Sequence, residues 1–523
     1  MRQSISFASG LVACIAAALL IACGGGGGGG GGGIPLLPVL PATPVALSGT
    51  ATYESVPNPS GRLVYSDISI KPVRGAFVEV LDATSGSQLA TTSTDDNGAY
   101  SASVPSNANV VVRVRAQLTR TGALPSWDVT VRDNTQSNAI YSMQSSAFST
   151  GTAALTRDLR AGSGWGGSSY TSQRVSGPFA VMDTVYTAMQ KVLSVAPATA
   201  FPSLKVFWSV NNTNSGGSIA LGQIGTTFFI GRSSGAEIYV LGKEDVDTDE
   251  FDAPVIAHEW GHYYQASFSR DDSPGGAHST SELIDRRLAF SEGWGNGWSG
   301  IALGRSNYVD SGGPGQAQGG SLDLTQGPAT NRGWFRESSI QSIFWNLNQQ
   351  VGFKPIHDTM TGALFRSGAP VTSIHPFAVA FNATAQGSAS TLAALLTGQS
   401  ITVNDAYGAG EGNDGGVSIA LPMYKQAVVG TATSACVTNA ADPQRDGNKL
   451  GSFAYLRFTA PTNRGYQFTI SPPGGANPNY AIYRGGVVSR NTSSVNLSAG
   501  DYVLVVNDLN NSATSTCFGV IIQ

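Results

Sequence analysis

Cysteine is scarce: four residues in 523, two of them (Cys14 and Cys23) inside an apolar N-terminal stretch. The remaining pair, Cys436 and Cys517, is too few for a zinc ribbon and too far apart for a Cys-x-x-Cys redox centre. Charge is scarce too. Asp, Glu, Lys and Arg make up 12% of the chain and sum to a net −4. That leaves no basic footprint for nucleic acid, and no such partner is expected. No internal repeat is evident. Histidine numbers only five.

Two of those five stand together. Residues 253–268 contain His258-Glu259-Trp260-Gly261-His262 within an apolar run. With so few histidines, a chance His-Glu-x-x-His is expected in about one such chain in a thousand. Pro254 suits a first helical turn, where its missing N–H costs nothing. Asp252, Asp249 or Thr248 can cap that end. On a helix, residues four apart share a face, so both imidazoles can grip one zinc ion. Glu259 can then act as general base toward a water whose pKa the zinc lowers to about 7.

A catalytic zinc needs a third protein ligand. The tight downstream histidine of metzincins is missing, because His262 is followed by Tyr-Tyr-Gln-Ala-Ser-Phe. Glu292, 30 residues beyond His262, sits in Ser291-Glu292-Gly293 among Leu288, Phe290, Trp294 and Trp298. Apolar surroundings argue against a merely solvated carboxylate. The arrangement resembles the gluzincins, the thermolysin-like and aminopeptidase-like zincins, whose third ligand is a glutamate on a second helix. That resemblance implies His258, His262 and Glu292 as zinc ligands. It places Asn296 where thermolysin-like enzymes keep an aspartate that supports a zinc-bound histidine. An amide can still accept the ring N–H, without the charge.

Strands and helices fit that frame. Thr227–Ile230 and Glu237–Leu241 read as paired strands around the Gly231–Gly235 turn, and Leu204–Val210 as another. Phe179, Met182, Tyr186, Met189 and Leu193 recur at helical steps, as do Ile340, Ile343, Phe344 and Leu347. The alternating carboxylates of Asp245–Asp252 can hold calcium, although the stretch lacks the glycine and distal glutamate of a calcium-binding loop. The plainer reading is an acidic helix start. Glu337 and Arg336 could reach a cleft but read as a solvated helix start. His278, in the loop between the two ligand helices, is the nearest further histidine for assisting the transition state, ahead of His357 and His375.

The N-terminus is short, positive, then apolar from Leu11 to Ala22, as in a secretory signal. Leu20-Ile-Ala-Cys23 resembles a bacterial lipobox, which implies lipid on Cys23 and a membrane anchor at the outer membrane or cell surface; an ordinary signal cut near Ala22 is the alternative. Polyglycine and a Pro-rich stretch to residue 44 make a tether. The fold expected is multidomain: an N-terminal β-sandwich (45–160), a central α+β zincin-like domain (161–430) and a C-terminal β-sandwich (431–523). In the first, the Gly-Ala-x-Val and Thr-Asp-x-Asn-Gly-x-Tyr order resembles carboxypeptidase regulatory-like domains. In the last, Leu497–Val506 resembles the pre-peptidase C-terminal domain. Cys436 and Cys517 flank it and should pair in an oxidising compartment. The expected function is a zinc metallopeptidase with a peptide or protein substrate. Two rivals stand beside it: a non-catalytic surface-binding lipoprotein, and a zinc hydrolase of non-peptide amides or esters.

Overall fold

Alternation of apolar side chains dictates the first layers. Val110, Val112, Val114, Ala116 and Leu118 bury one face of the strand Asn109–Arg120. Leu47, Ala51 and Tyr53 do the same for Pro44–Ser55. The computed structural model describes residues 43–232, 235–511 and 514–523. It has N-terminal β-sheets, a central helical region with strands, and C-terminal β-sheets. Cys23 and the tether up to residue 42 lie outside the described residues. Among those described, no helix is long and apolar enough to cross a membrane.

The largest sheet has ten strands, and its hydrogen bonding runs from the N-terminal region into the central one. Its main path is Phe228–Arg232, Gly235–Val240, Leu204–Trp208, Trp127–Asp133, Asn109–Arg120, Ala76–Asp82 and Gln88–Ser93. Leu204–Trp208 lies parallel to both its neighbours, Trp127–Asp133 and Gly235–Val240. Phe228–Arg232 adds antiparallel at the edge. A five-stranded sheet built on Pro44–Ser55 shares one buried core with it.

Four helices position the site: α1 (Ser176–Leu193), α2 (Ala253–Phe268), α3 (Arg286–Leu303) and α4 (Glu337–Val351). The start of α2 differs from expectation. Asp252 occupies its N-cap position but makes no capping bond. Its carboxylate instead accepts from Asn58 Nδ2 at 2.6 Å and from Ser311 N and Oγ at 2.7 Å each. It thus ties together three segments far apart in sequence.

Helix α3 runs through the middle of the core and is buried on every side, from Arg286 to Ala302. Its glycines make that possible. A Cβ on Gly297 would stand 2.9 Å from the Cβ of Phe344, and one on Gly293 would collide with Ile340 of α4. Toward α2, Gly261 lets Trp298 approach, a Cβ there being 3.0 Å from its Cδ1. Trp298 stacks on Trp260 and Tyr264, with ring centroids 5.3 and 5.4 Å apart. Trp294 Nε1 donates to the carbonyl of Gly261 at 3.0 Å, fixing the register of α3 on α2.

After α3, a hairpin (Asn307–Asp310 with Gly320–Asp323) packs against α2 and α3. The N-terminal region holds it: Leu63 N donates to the Gln316 carbonyl at 3.0 Å. The C-terminal region forms a five-stranded and a four-stranded sheet around Phe458, Phe468, Leu504 and Phe518. Cys436 and Cys517 face each other on adjacent antiparallel strands and form a disulfide.

Candidate metal centre

Helical spacing puts His258 and His262 one turn apart on α2, and α3 crosses them with Glu292. The three donor atoms converge. The two Nε2 atoms lie 3.0 Å apart, and Glu292 Oε2 is 3.2 Å from that of His258 and 3.5 Å from that of His262. Donors on a tetrahedral zinc with bonds of about 2.0–2.1 Å stand about 3.3 Å apart. His258 and Glu292 are 9% and 8% exposed.

The outward ring nitrogens decide which atoms face the gap. His258 Nδ1 lies 2.9 Å from Asn296 Oδ1, which only accepts, so Nδ1 carries the proton and Nε2 presents a lone pair. Ser291 Oγ donates to Asp271 Oδ2 at 3.0 Å. Its lone pair is left for His262 Nδ1, 3.2 Å away. Both imidazoles thus turn lone pairs inward, toward a carboxylate oxygen. This donor set fits a divalent cation of the zinc type.

Burial opposes a charge on His262, yet the charge and hydrogen bond of Glu292 outweigh it and raise the imidazole to about 9. Burial pushes the Glu292 carboxyl up, but the three surrounding histidines hold it well below its ordinary value. A bound cation takes the place of those protons.

Glu259 lies beside the donors, 9% exposed. Burial raises its carboxyl, while His258 and His262 partly offset the shift. A cavity of about 1370 Å³ opens over the donors. Its walls include Phe228 and Phe229 of the edge strand, the loop 273–280, and Tyr308 and Leu322 of the hairpin.

His278 comes into this site. Its Nε2 is 3.2 Å from Glu292 Oε2 and 3.4 Å from Glu337 Oε2, and its Nδ1 lies 3.0 Å from the Gly276 carbonyl. Burial disfavours its charge, but the two carboxylates raise it to about 10. Glu337 corrects an expectation. It is no solvated helix start but is 2% exposed and lines the cavity, with its carboxyl raised to about 7, chiefly by burial. His357 and His375 lie elsewhere: His357 Nδ1 pairs with the Tyr264 hydroxyl at 2.8 Å, and His375 Nε2 faces Glu411 at 3.4 Å.

Sequence reasoning missed Tyr308, whose ring stands edge-on to His258 with centroids 6.1 Å apart. It also missed Asp271. Neither carries a local signal. A second group capable of holding a metal ion combines Asp247 and Asp249, from the acidic stretch before α2, with Asp310 of the hairpin.

The loop carrying His278 is held from the C-terminal part of the chain. Asn448 Nδ2 donates to the carbonyls of Gly275 (2.9 Å) and Ala277 (3.1 Å), and Lys449 Nζ to Ala277 (2.7 Å). Residues 273–276 also line a second cavity of about 400 Å³, whose far wall includes Tyr483 and Asn507 of the C-terminal sheets.

No protein-family model matches the chain, and no curated protein matches it. Among solved structures, the pre-peptidase C-terminal domain of a collagenase from Bacillus anthracis aligns with 19% of this chain and 94% of its own, at 9% identity and a TM-score of 0.16. A periplasmic inhibitor of g-type lysozyme from Salmonella Typhimurium aligns with 19% of this chain and 99% of its own, at 15% identity and a TM-score of 0.14. Neither match assigns the chain a family.

Proposed function

We propose that this chain is a zinc metallopeptidase that cleaves peptide bonds outside the cytoplasm. One observation carries it: two imidazoles, oriented by Asn296 and Ser291, converge with Glu292 beside the buried carboxylate of Glu259. His258, His262 and Glu292 would hold the ion. Zinc, when bound, polarises a carbonyl and lowers the pKa of water to about 7.

Glu259 takes the proton of the attacking water as its oxygen adds to the scissile carbonyl carbon. It returns that proton to the amine nitrogen as the C–N bond breaks. A pKa raised by burial suits a carboxyl that must both accept and give back a proton. His278 and Tyr308 line the same cavity and can donate to the oxygen that gains charge. Phe228–Arg232 is an edge strand beside Glu259, so an extended peptide can add to it. We assign the chain to the bacterial cell envelope, tethered by lipid on Cys23.

Metal-stripped and zinc-reloaded protein should be assayed on a labelled casein-type substrate. Zinc should restore fragment release. Glu259→Gln should retain zinc and lose about 10²–10⁴-fold in rate. Glu292→Ala should lose zinc affinity as well as activity. A zinc-loaded parent that leaves casein intact would refute the peptidase assignment, and hydrolysis of simple esters or amides by that protein would favour a non-peptide hydrolase.

A further inference from the structure

Asp247 and Asp249 alternate along the chain leading into α2, and the hairpin brings Asp310 onto them. One carboxylate oxygen from each lies within 4.8 Å of the others. Asp249 is only 2% exposed. Its Oδ2 accepts a hydrogen bond from the Thr227 hydroxyl, but its Oδ1 has no donor. The Oδ1 of Asp247 is buried and equally without a donor. All three side chains line the large cavity, and among the described residues no Lys or Arg lines it. Buried carboxylate oxygens without donors are satisfied either by a proton or by a bound cation.

We propose that Asp247, Asp249 and Asp310 bind a calcium ion that fastens the hairpin to the segment before α2. The donors are all carboxylate oxygens, the choice of a hard cation, whereas the neighbouring centre offers two imidazole nitrogens. The open side of the cavity leaves room for water in the remaining coordination positions. The two segments already meet: Asp247 bridges Gly312, and Gly313 N donates to the Val246 carbonyl at 2.9 Å. Asp310 lies two residues beyond Tyr308. Calcium there fixes the wall that stands against His258. Its effect on turnover rests on the peptidase assignment; its binding does not.

The test uses the full chain, stripped of metal and reloaded with one equivalent of zinc. Calcium is titrated by calorimetry and by thermal melting, in the parent and in Asp249→Asn, Asp310→Asn and Glu259→Gln. The parent should bind saturably, with Kd of about 10⁻⁴ M or tighter, and melt at a higher temperature when saturated. Asp249→Asn and Asp310→Asn should bind calcium at least about tenfold more weakly while keeping their zinc. Glu259→Gln should bind both metals as the parent does. Absence of calcium binding by the parent up to about 10 mM overturns the proposal. So does parental calcium affinity in folded Asp310→Asn. Calcium binding without peptide cleavage refutes only the peptidase assignment, and peptide cleavage without calcium binding refutes only the calcium site.

Discussion

The imidazole of His258 lies flat against the backbone of Gly295. A Cβ built on that glycine would stand 2.8 Å from the ring's Cε1 and 2.9 Å from both ring nitrogens. Helix α3 therefore does more than deliver Glu292. Its bare backbone at residue 295 is the floor on which a donor ring rests.

Gly295→Ala should push that ring off its floor. Zinc affinity should fall at least about tenfold, with a stability loss of about 1–3 kcal/mol from overpacking. Gly398→Ala is the control, since nothing lies within 4 Å of a Cβ there. Competition with a fluorescent chelator and urea melts would measure both. Parental zinc affinity in Gly295→Ala would show that the ring does not need this floor.

Asn296 fixes the tautomer of His258. Asn296→Ala should weaken zinc binding about 10–100-fold. Asn296→Asp should tighten it, because a carboxylate makes the ring a stronger donor. If both variants bind zinc like the parent, Asn296 does not orient the ligand.

The centre was partly legible in the sequence for a plain reason. His258, Glu259 and His262 lie within one helical turn, where spacing alone sets geometry. Glu292 and Asn296 sit on one further helix, so a resemblance could supply what spacing did not. His278 was picked for its closeness in sequence, and the loop does bring it to Glu292. Tyr308, Asp310 and Glu337 escaped or were misread because hairpin closure and helix packing place them, and neither leaves a period in the sequence. The core position of α3 was hidden as well: buried all round, it has no polar face to give a helical rhythm. Strand positions were legible from alternation, but not that Trp127–Asp133 would pair with Leu204–Trp208.

That pairing makes the N-terminal sheets part of the central fold. Val129 and Val131 are buried, and Asn58 holds Asp252 at the head of α2. A chain beginning at residue 161 should therefore fail to fold, losing near-ultraviolet dichroism and resistance to limited proteolysis. A stable, zinc-binding fragment would show that the N-terminal region is dispensable.

The proposed lipid anchor is tested on protein taken from the cells that make it. Mass spectrometry of the membrane fraction should find diacylglyceryl-modified Cys23 at the mature N-terminus. Cys23→Ser should release the protein to the soluble fraction with its zinc affinity unchanged. Soluble parental protein starting at another residue would refute the lipid.

The hold of Asn448 and Lys449 on the His278 loop also sets an order in time. Asn448 lies 173 residues beyond Gly275. While the chain is being made, its two donors do not yet exist when α2, the loop and α3 first emerge. The loop can make these three bonds only once residue 449 has been added. A nascent chain thus carries His258, His262 and Glu292 long before the loop beside them can gain that hold.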